Sequence, residues 1–140
     1  MTAKEYLKRI KKIDNLINAK IEEIDNLKEF AKNISAVNSE SEKVQSGQGD
    51  KIGNAVAKIV DLEREITDEV DYLVDLKRKI KSEIDKIENA DYVNILYKRY
   101  FEYKTWERIA VDMNYTMRWV QKLHGNALKE FIEVHTIDRL

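Results

Sequence analysis

Arg118, Gln121 and Lys122 are the residues whose types and spacing point most directly to chemistry with another molecule. At about 100° per residue they share one helical face with Gly125 and Lys129. A guanidinium matches the paired acceptors on a guanine edge, and a glutamine amide matches an adenine edge. An ammonium group suits a phosphate. Val120, Leu123, His124, Ala127, Leu128 and Phe131 fall on the opposite face of the same stretch. Packing of that apolar face against a core would turn the polar face outward. A polar helix face alone is usually only solvated surface, so the weight rests on the residues that precede it.

Those residues read Ala110-Val111-Asp112-Met113-Asn114-Tyr115-Thr116-Met117. The spacing predicts a helix over 105–113, with Thr105 as its N-cap. Asn114 can take the left-handed conformation that ends a helix. Tyr115 is expected to pack into the core, and Thr116 to cap a second helix over about 117–134. Ile109, Ala110, Tyr115, Val120 and Leu123 would form the hub. This is the layout of a helix-turn-helix, whose second helix lies in the major groove of DNA. Arg118 and Gln121 sit in its first turns, where groove-reading residues lie. Lys122, Lys104 and the Thr116 hydroxyl suit phosphates, helped by the amide end of the helix. Thr105, Met117 and Asn126 complete the candidate DNA-binding set.

Residues 91–131 resemble region four of bacterial sigma factors and related phage regulators. The resemblance is carried by Arg99-Tyr100-Phe101-Glu102, Lys104-Thr105-Trp106-Glu107-Arg108-Ile109-Ala110, Asn114-Tyr115-Thr116, Val120 and Ala127-Leu128. The whole chain is similar to phage-encoded transcriptional regulators with a long helical N-terminal half. The resemblance implies duplex DNA as partner, and RNA polymerase as a second one. The chain departs from the pattern at Tyr103 and Asn114, where glycine is usual, and at Asn126, where arginine is usual. The other sigma-factor regions are missing.

Other chemistries find less support. Glu22 and Asp25, and Glu65 and Asp68, stand three apart on two helices. All-α nucleotide pyrophosphohydrolases hold Mg²⁺ with a comparable layout. With 26 acidic residues in 140, such pairs arise by chance, and these flank the apolar seam. No nucleophile–base set and no glycine-rich phosphate loop is present, so no catalytic residue, metal or cofactor is expected. His124, on the core face, reads as a buried, hydrogen-bonded imidazole. His135 reads as lying near a frayed end without a partner. Trp119, at the edge of the core face, reads as a packing or dimer contact.

The elements that must position these residues are helices. The sequence has no proline and four glycines among 140 residues, so the usual punctuation of a β protein is lacking, and the expected fold is all-α. Tyr6, Ile10, Ile13, Ile17, Ile24, Leu27 and Ala31 mark one stripe of a helix over about 3–33. Val56, Ile59, Ile66, Val70, Leu73, Ile80, Ile84 and Ile87 mark another over about 54–89, interrupted at Glu63 and Lys77. Stripes this narrow resemble coiled-coil seams. The Ser-, Asn- and Gly-rich stretch at about 34–53 reads as a mobile connection. The expected architecture is a long helical hairpin over 1–89 and a small three-helix helix-turn-helix domain over 90–140. A lone hairpin buries little, so association of two copies through the long helices is expected. A pure adaptor role for that hairpin is the alternative function.

Aromatic residues concentrate in the second part: both tryptophans and five of seven tyrosines lie in 92–131. Residues 91–140 hold eight basic and seven acidic side chains, so DNA contact would depend on placement of a few cations. The absence of cysteine suits a reducing compartment. No apolar run approaches the ~18 residues of a membrane span, and residues 1–12 lack the apolar core of a secretory signal. A soluble, cytoplasmic protein is expected.

Overall fold

The computed structural model describes residues 1–40 and 46–138. Among them the chain is all-helical, in five helices: α1 (Ala3–Glu40), α2 (Ser46–Ile84), α3 (Ala90–Leu96), α4 (Trp106–Met113) and α5 (Met117–Asp138). A π-helical stretch, Tyr97–Phe101, continues α3.

The start of α1 is a reciprocal capping box. The Thr2 hydroxyl accepts from the Glu5 amide, and the Glu5 carboxylate accepts from the Thr2 amide, both at 3.1 Å. The expected mobile connection over 34–53 is corrected: residues 34–40 and 46–53 are helical, and only 41–45 lie outside the described residues. Gly49 and Gly53 sit inside α2 at a cost of about 0.5–1 kcal/mol each relative to alanine. Half-buried Ile52 and buried Ala55 extend the apolar stripe through the same turns and offset that cost.

Two compact units form, and neither ends at the expected boundary of residue 90. One contains Met1–Ile13 and Leu73–Leu140; the other contains Asp14–Tyr72. The base of the helical hairpin therefore packs with the C-terminal helices, because Leu7, Ile10, Ile80, Ile84 and Ile87 are buried in that unit.

In the Asp14–Tyr72 unit, α1 and α2 form the stem of the hairpin. Ile17 and Ile24 are buried. Between them Lys20 reaches across to α2, pairing with Glu69 and lying 3.3 Å from Glu65. A charged pair at a seam position specifies register between helices more than it adds stability. The seam on α2 also differs from the expected frame. Ile59, Leu62 and Ile66 are half-buried, whereas Val56 and Val70 are exposed, as is Val60. Glu63 accordingly interrupts an outer stripe rather than the seam.

In the other unit, Asn89 caps α3: its side chain accepts from the amides of Asp91 and Tyr92 at 2.9 and 3.3 Å. Beyond α3 the helix widens at Tyr97, where the Glu102 amide donates to the Tyr97 carbonyl at 3.0 Å. Tyr103 then takes a left-handed conformation, φ 57°. Its ring lies under Lys11 Nζ, 5.7 Å from the ammonium group. Ile95, Ile109, Ala110, Val120 and Leu123 form the hub, with Tyr92, Trp106, Met113 and Met117 packed around it.

Candidate nucleic-acid interface

The segment from Thr105 to α5 is built as the local signals require. The Thr105 hydroxyl accepts from the Arg108 amide at 3.2 Å and so caps α4. Asn114 takes φ 58° and ψ 42°, and its amide donates to the Val111 carbonyl. The Tyr115 amide donates to the Ala110 carbonyl at 3.0 Å, closing the turn. The Thr116 hydroxyl then accepts from the Trp119 amide at 3.2 Å, so α5 starts with a satisfied donor.

One face of α5 is buried: Val120, Leu123, His124, Ala127 and Phe131, with Leu128 half-buried. The opposite face presents Arg118, Gln121, Lys122 and Lys129 to solvent. The side chains of Arg118 and Gln121 make no hydrogen bond or ion pair among the described residues. Lys122 Nζ lies over the exposed Trp119 ring, 5.5 Å from its centre. Thr105 and Thr116 are exposed, although each hydroxyl is occupied in capping its helix.

Other candidates lie elsewhere. Met117 is half-buried against the hub, so it packs rather than projects. Asn126 is half-buried on the flank of α5. Lys104 is tied down: its Nζ lies 2.7 Å from Asp112 Oδ2 and 3.8 Å from Glu102. Its main-chain carbonyl accepts from Arg99 at 2.9 Å, and the Arg99 guanidinium stacks 4.3 Å above the Trp106 ring. The hydrogen bond to Asp112 raises the Lys104 pKa and holds the Asp112 carboxyl below the ordinary carboxylate value.

Tyr115 was expected in the hub and is exposed instead. Its hydroxyl donates to the Asp91 carboxylate at 2.8 Å, which raises the phenol pKa. The short turn directs the side chain over α3, where a hydrogen bond replaces burial. With Val111 and Trp119 it leaves three apolar side chains exposed around the turn.

His124 is the buried, hydrogen-bonded imidazole its position suggests. It shares a 2.7 Å hydrogen bond with the Tyr100 hydroxyl, and the Trp106 ring meets its edge at 4.6 Å. His135, by contrast, is neither frayed nor alone. It stacks on Phe131 at 5.9 Å and meets Tyr6 in a tilted contact at 5.0 Å between centroids, and its Nδ1 is 3.0 Å from Glu83 Oε2. Glu83 is 2 % exposed, and among the described residues neither atom has another hydrogen-bond partner. An i, i+4 search could not find this pair, because Glu83 and His135 belong to α2 and α5.

Of the carboxylate pairs, Glu65 is engaged by Lys20, while Glu22, Asp25 and Asp68 are exposed. Among the described residues no group of three or more His, Asp or Glu side chains could hold a metal ion. Nor, among them, is any helix long and apolar enough to cross a membrane. Comparison of the chain with protein-family models, curated proteins and solved structures gives no match.

Proposed function

We propose that this chain is a DNA-binding transcriptional regulator of phage type, acting in the cytoplasm and reading duplex DNA with α5. The observation that carries this reading is the outer face of a capped helix following a three-residue turn. Arg118 and Gln121 stand there exposed and unpaired among the described residues, while the opposite face is packed into the hub. A solvated surface needs no such turn, whereas a groove-reading helix needs both the turn and the unpaired edge-reading donors. In this reading Arg118 and Gln121 meet base edges, and Lys122 meets a phosphate. Thr105 and Thr116 position the two helix ends.

The test is a fluorescence-anisotropy titration with mixed duplex fragments at two salt concentrations. Binding is expected to weaken steeply as salt rises. Arg118→Ala should cost about 1–3 kcal/mol on a preferred site and relax specificity. Lys122→Ala should weaken all sequences alike and flatten the salt dependence. Absence of binding at low salt by a folded protein would reject the reading.

A second reading is favoured by the exposed apolar residues of the Asp14–Tyr72 unit: Leu16, Ile21, Phe30, Val56, Val60 and Val70. So many on one slender unit suit an interaction surface. A second copy of the chain is the proposed occupant, with RNA polymerase as the other. Light scattering on the full chain is expected to give a dimer mass, and Val60→Glu with Val70→Glu a monomer mass. A monomer before substitution would remove self-association from the proposal and leave the polymerase contact to be tested.

A further inference from the structure

Three cations converge on one carboxylate beside α4. Lys104 Nζ is 2.7 Å and Lys98 Nζ 3.7 Å from Asp112 Oδ2, and Arg108 Nε is 3.2 Å from Asp112 Oδ1. Arg108 nevertheless keeps 65 % of its side chain accessible. Glu102 adds a longer contact to Lys104. The cluster is held in place from behind, since Arg99 is fixed on Trp106 and bonds the Lys104 carbonyl.

A structural ion pair needs one cation. Three surround the Asp112 carboxylate, which accepts charge-assisted bonds of the kind that phosphate oxygens also accept. In two-helix DNA readers the first helix crosses the phosphate backbone while the second enters the groove. α4 is the first helix here. Resting on the DNA-binding reading above, we infer that Asp112 is a brake on sequence-independent DNA binding: it occupies cationic donors that would otherwise take backbone phosphates.

The physical consequence concerns specificity. Binding to arbitrary DNA is set by the number of phosphates neutralised, and useful recognition depends on the ratio of specific to non-specific affinity. A carboxylate that competes for Lys98, Lys104 and Arg108 lowers non-specific affinity and leaves the α5 contacts at Arg118 and Gln121 untouched. The Lys104 hydrogen bond lowers the Asp112 pKa further below the ordinary carboxylate value, so the carboxylate competes throughout the neutral range. The near balance of eight basic and seven acidic residues in 91–140 fits a domain whose phosphate affinity is restrained.

The experiment measures binding of the full chain to a random-sequence duplex at salt concentrations between about 50 and 200 mM. Asp112→Asn is expected to bind severalfold more tightly at low salt, with a log–log salt slope steeper by about one. Asp112→Glu, which keeps the charge, should behave as the unsubstituted protein. Lys104→Gln alone should change binding little, because its ammonium group is already occupied, and added to Asp112→Asn it should remove much of the gain. A purely structural pair would instead make Asp112→Asn and Lys104→Gln fail together, with matching losses of helical signal on heating. If the unsubstituted protein binds DNA and Asp112→Asn leaves affinity and slope unchanged, the brake is overturned and the DNA reading stands. If neither protein binds at low salt while both remain folded, the DNA reading fails and the brake with it.

Discussion

Phe131→Ala is expected to remove about 3–5 kcal/mol of folding stability, the range for deleting a fully buried aromatic side chain. Phe131 is 1 % exposed and is the largest fully buried side chain among the described residues. It stacks with Tyr6 from α1 at 6.1 Å and with His135 one turn further along α5 at 5.9 Å. Truncation therefore loses transfer free energy and also leaves a void between helices that are held from several directions. Against a total stability of order 5–15 kcal/mol, such a loss is a large fraction. Urea denaturation of the full chain followed by helical signal checks it. Phe131→Leu, which keeps most of the volume, should cost markedly less. A loss below about 1 kcal/mol for the alanine variant would mean that this stretch of α5 does not carry the packing described. Because Phe131 lies on the face away from Arg118 and Gln121, the proposed DNA contact predicts that duplex affinity of the folded fraction hardly changes.

The contrast between Phe131 and its neighbours shows what the sequence made legible. The buried face of α5 followed from helical spacing alone, and so did the capping roles of Thr105 and Thr116 and the left-handed Asn114. These are local signals, settled within a turn or two of helix. The Lys20–Glu69 pair and the Glu83–His135 pair were not legible, because each joins residues far apart in the chain. The seam of α2 held at Ile59, Ile66, Leu73, Ile80 and Ile84, and at Ile87 just beyond it, and failed at Val56 and Val70, for a related reason. Val56, Val60 and Val70 are as apolar as Ile59 and Ile66, so α2 carries two stripes, and only the partner helix decides which is covered. The stretch over 34–53 failed differently: glycine and serine lower helix propensity, yet packing of Ile52 and Ala55 outweighs a cost of about 1 kcal/mol per glycine. At the candidate site the exposed polar face of α5 was legible. The occupation of Lys104 was not, since Asp112 is eight residues away and off the i, i+4 spacing that reveals Arg108–Asp112.

The His124 environment carries the second large expected effect, a loss of stability in mild acid. His124 is 7 % exposed, and desolvation holds its pKa down to about 4, with Lys4 and Arg99 adding smaller repulsion. Around the ring stand the Tyr100 hydroxyl and the Trp106 ring in a T-shaped contact, and neither carries the negative charge with which a carboxylate would stabilise an imidazolium. The same burial pushes the Tyr100 phenol up to about 12, so that group stays protonated throughout. The folded protein thus excludes a proton that the unfolded chain accepts near the ordinary value of 6.5. Stability from this group is fully present above pH 6.5 and is lost as pH falls from there through about 4. After discounting for partial solvent screening, the loss should reach about 2 kcal/mol. Urea titrations at several pH values from neutral to 4 measure it. His124→Gln keeps a hydrogen-bonding partner for Tyr100 without a titrating group, so its stability should fall less over the same window. Equal slopes for the two proteins would assign the acid sensitivity to other groups, with the carboxylates of the ion pairs first among them. A shallower slope for His124→Gln would place the neutral imidazole at the centre of the unit that holds α5, and with it the face that presents Arg118.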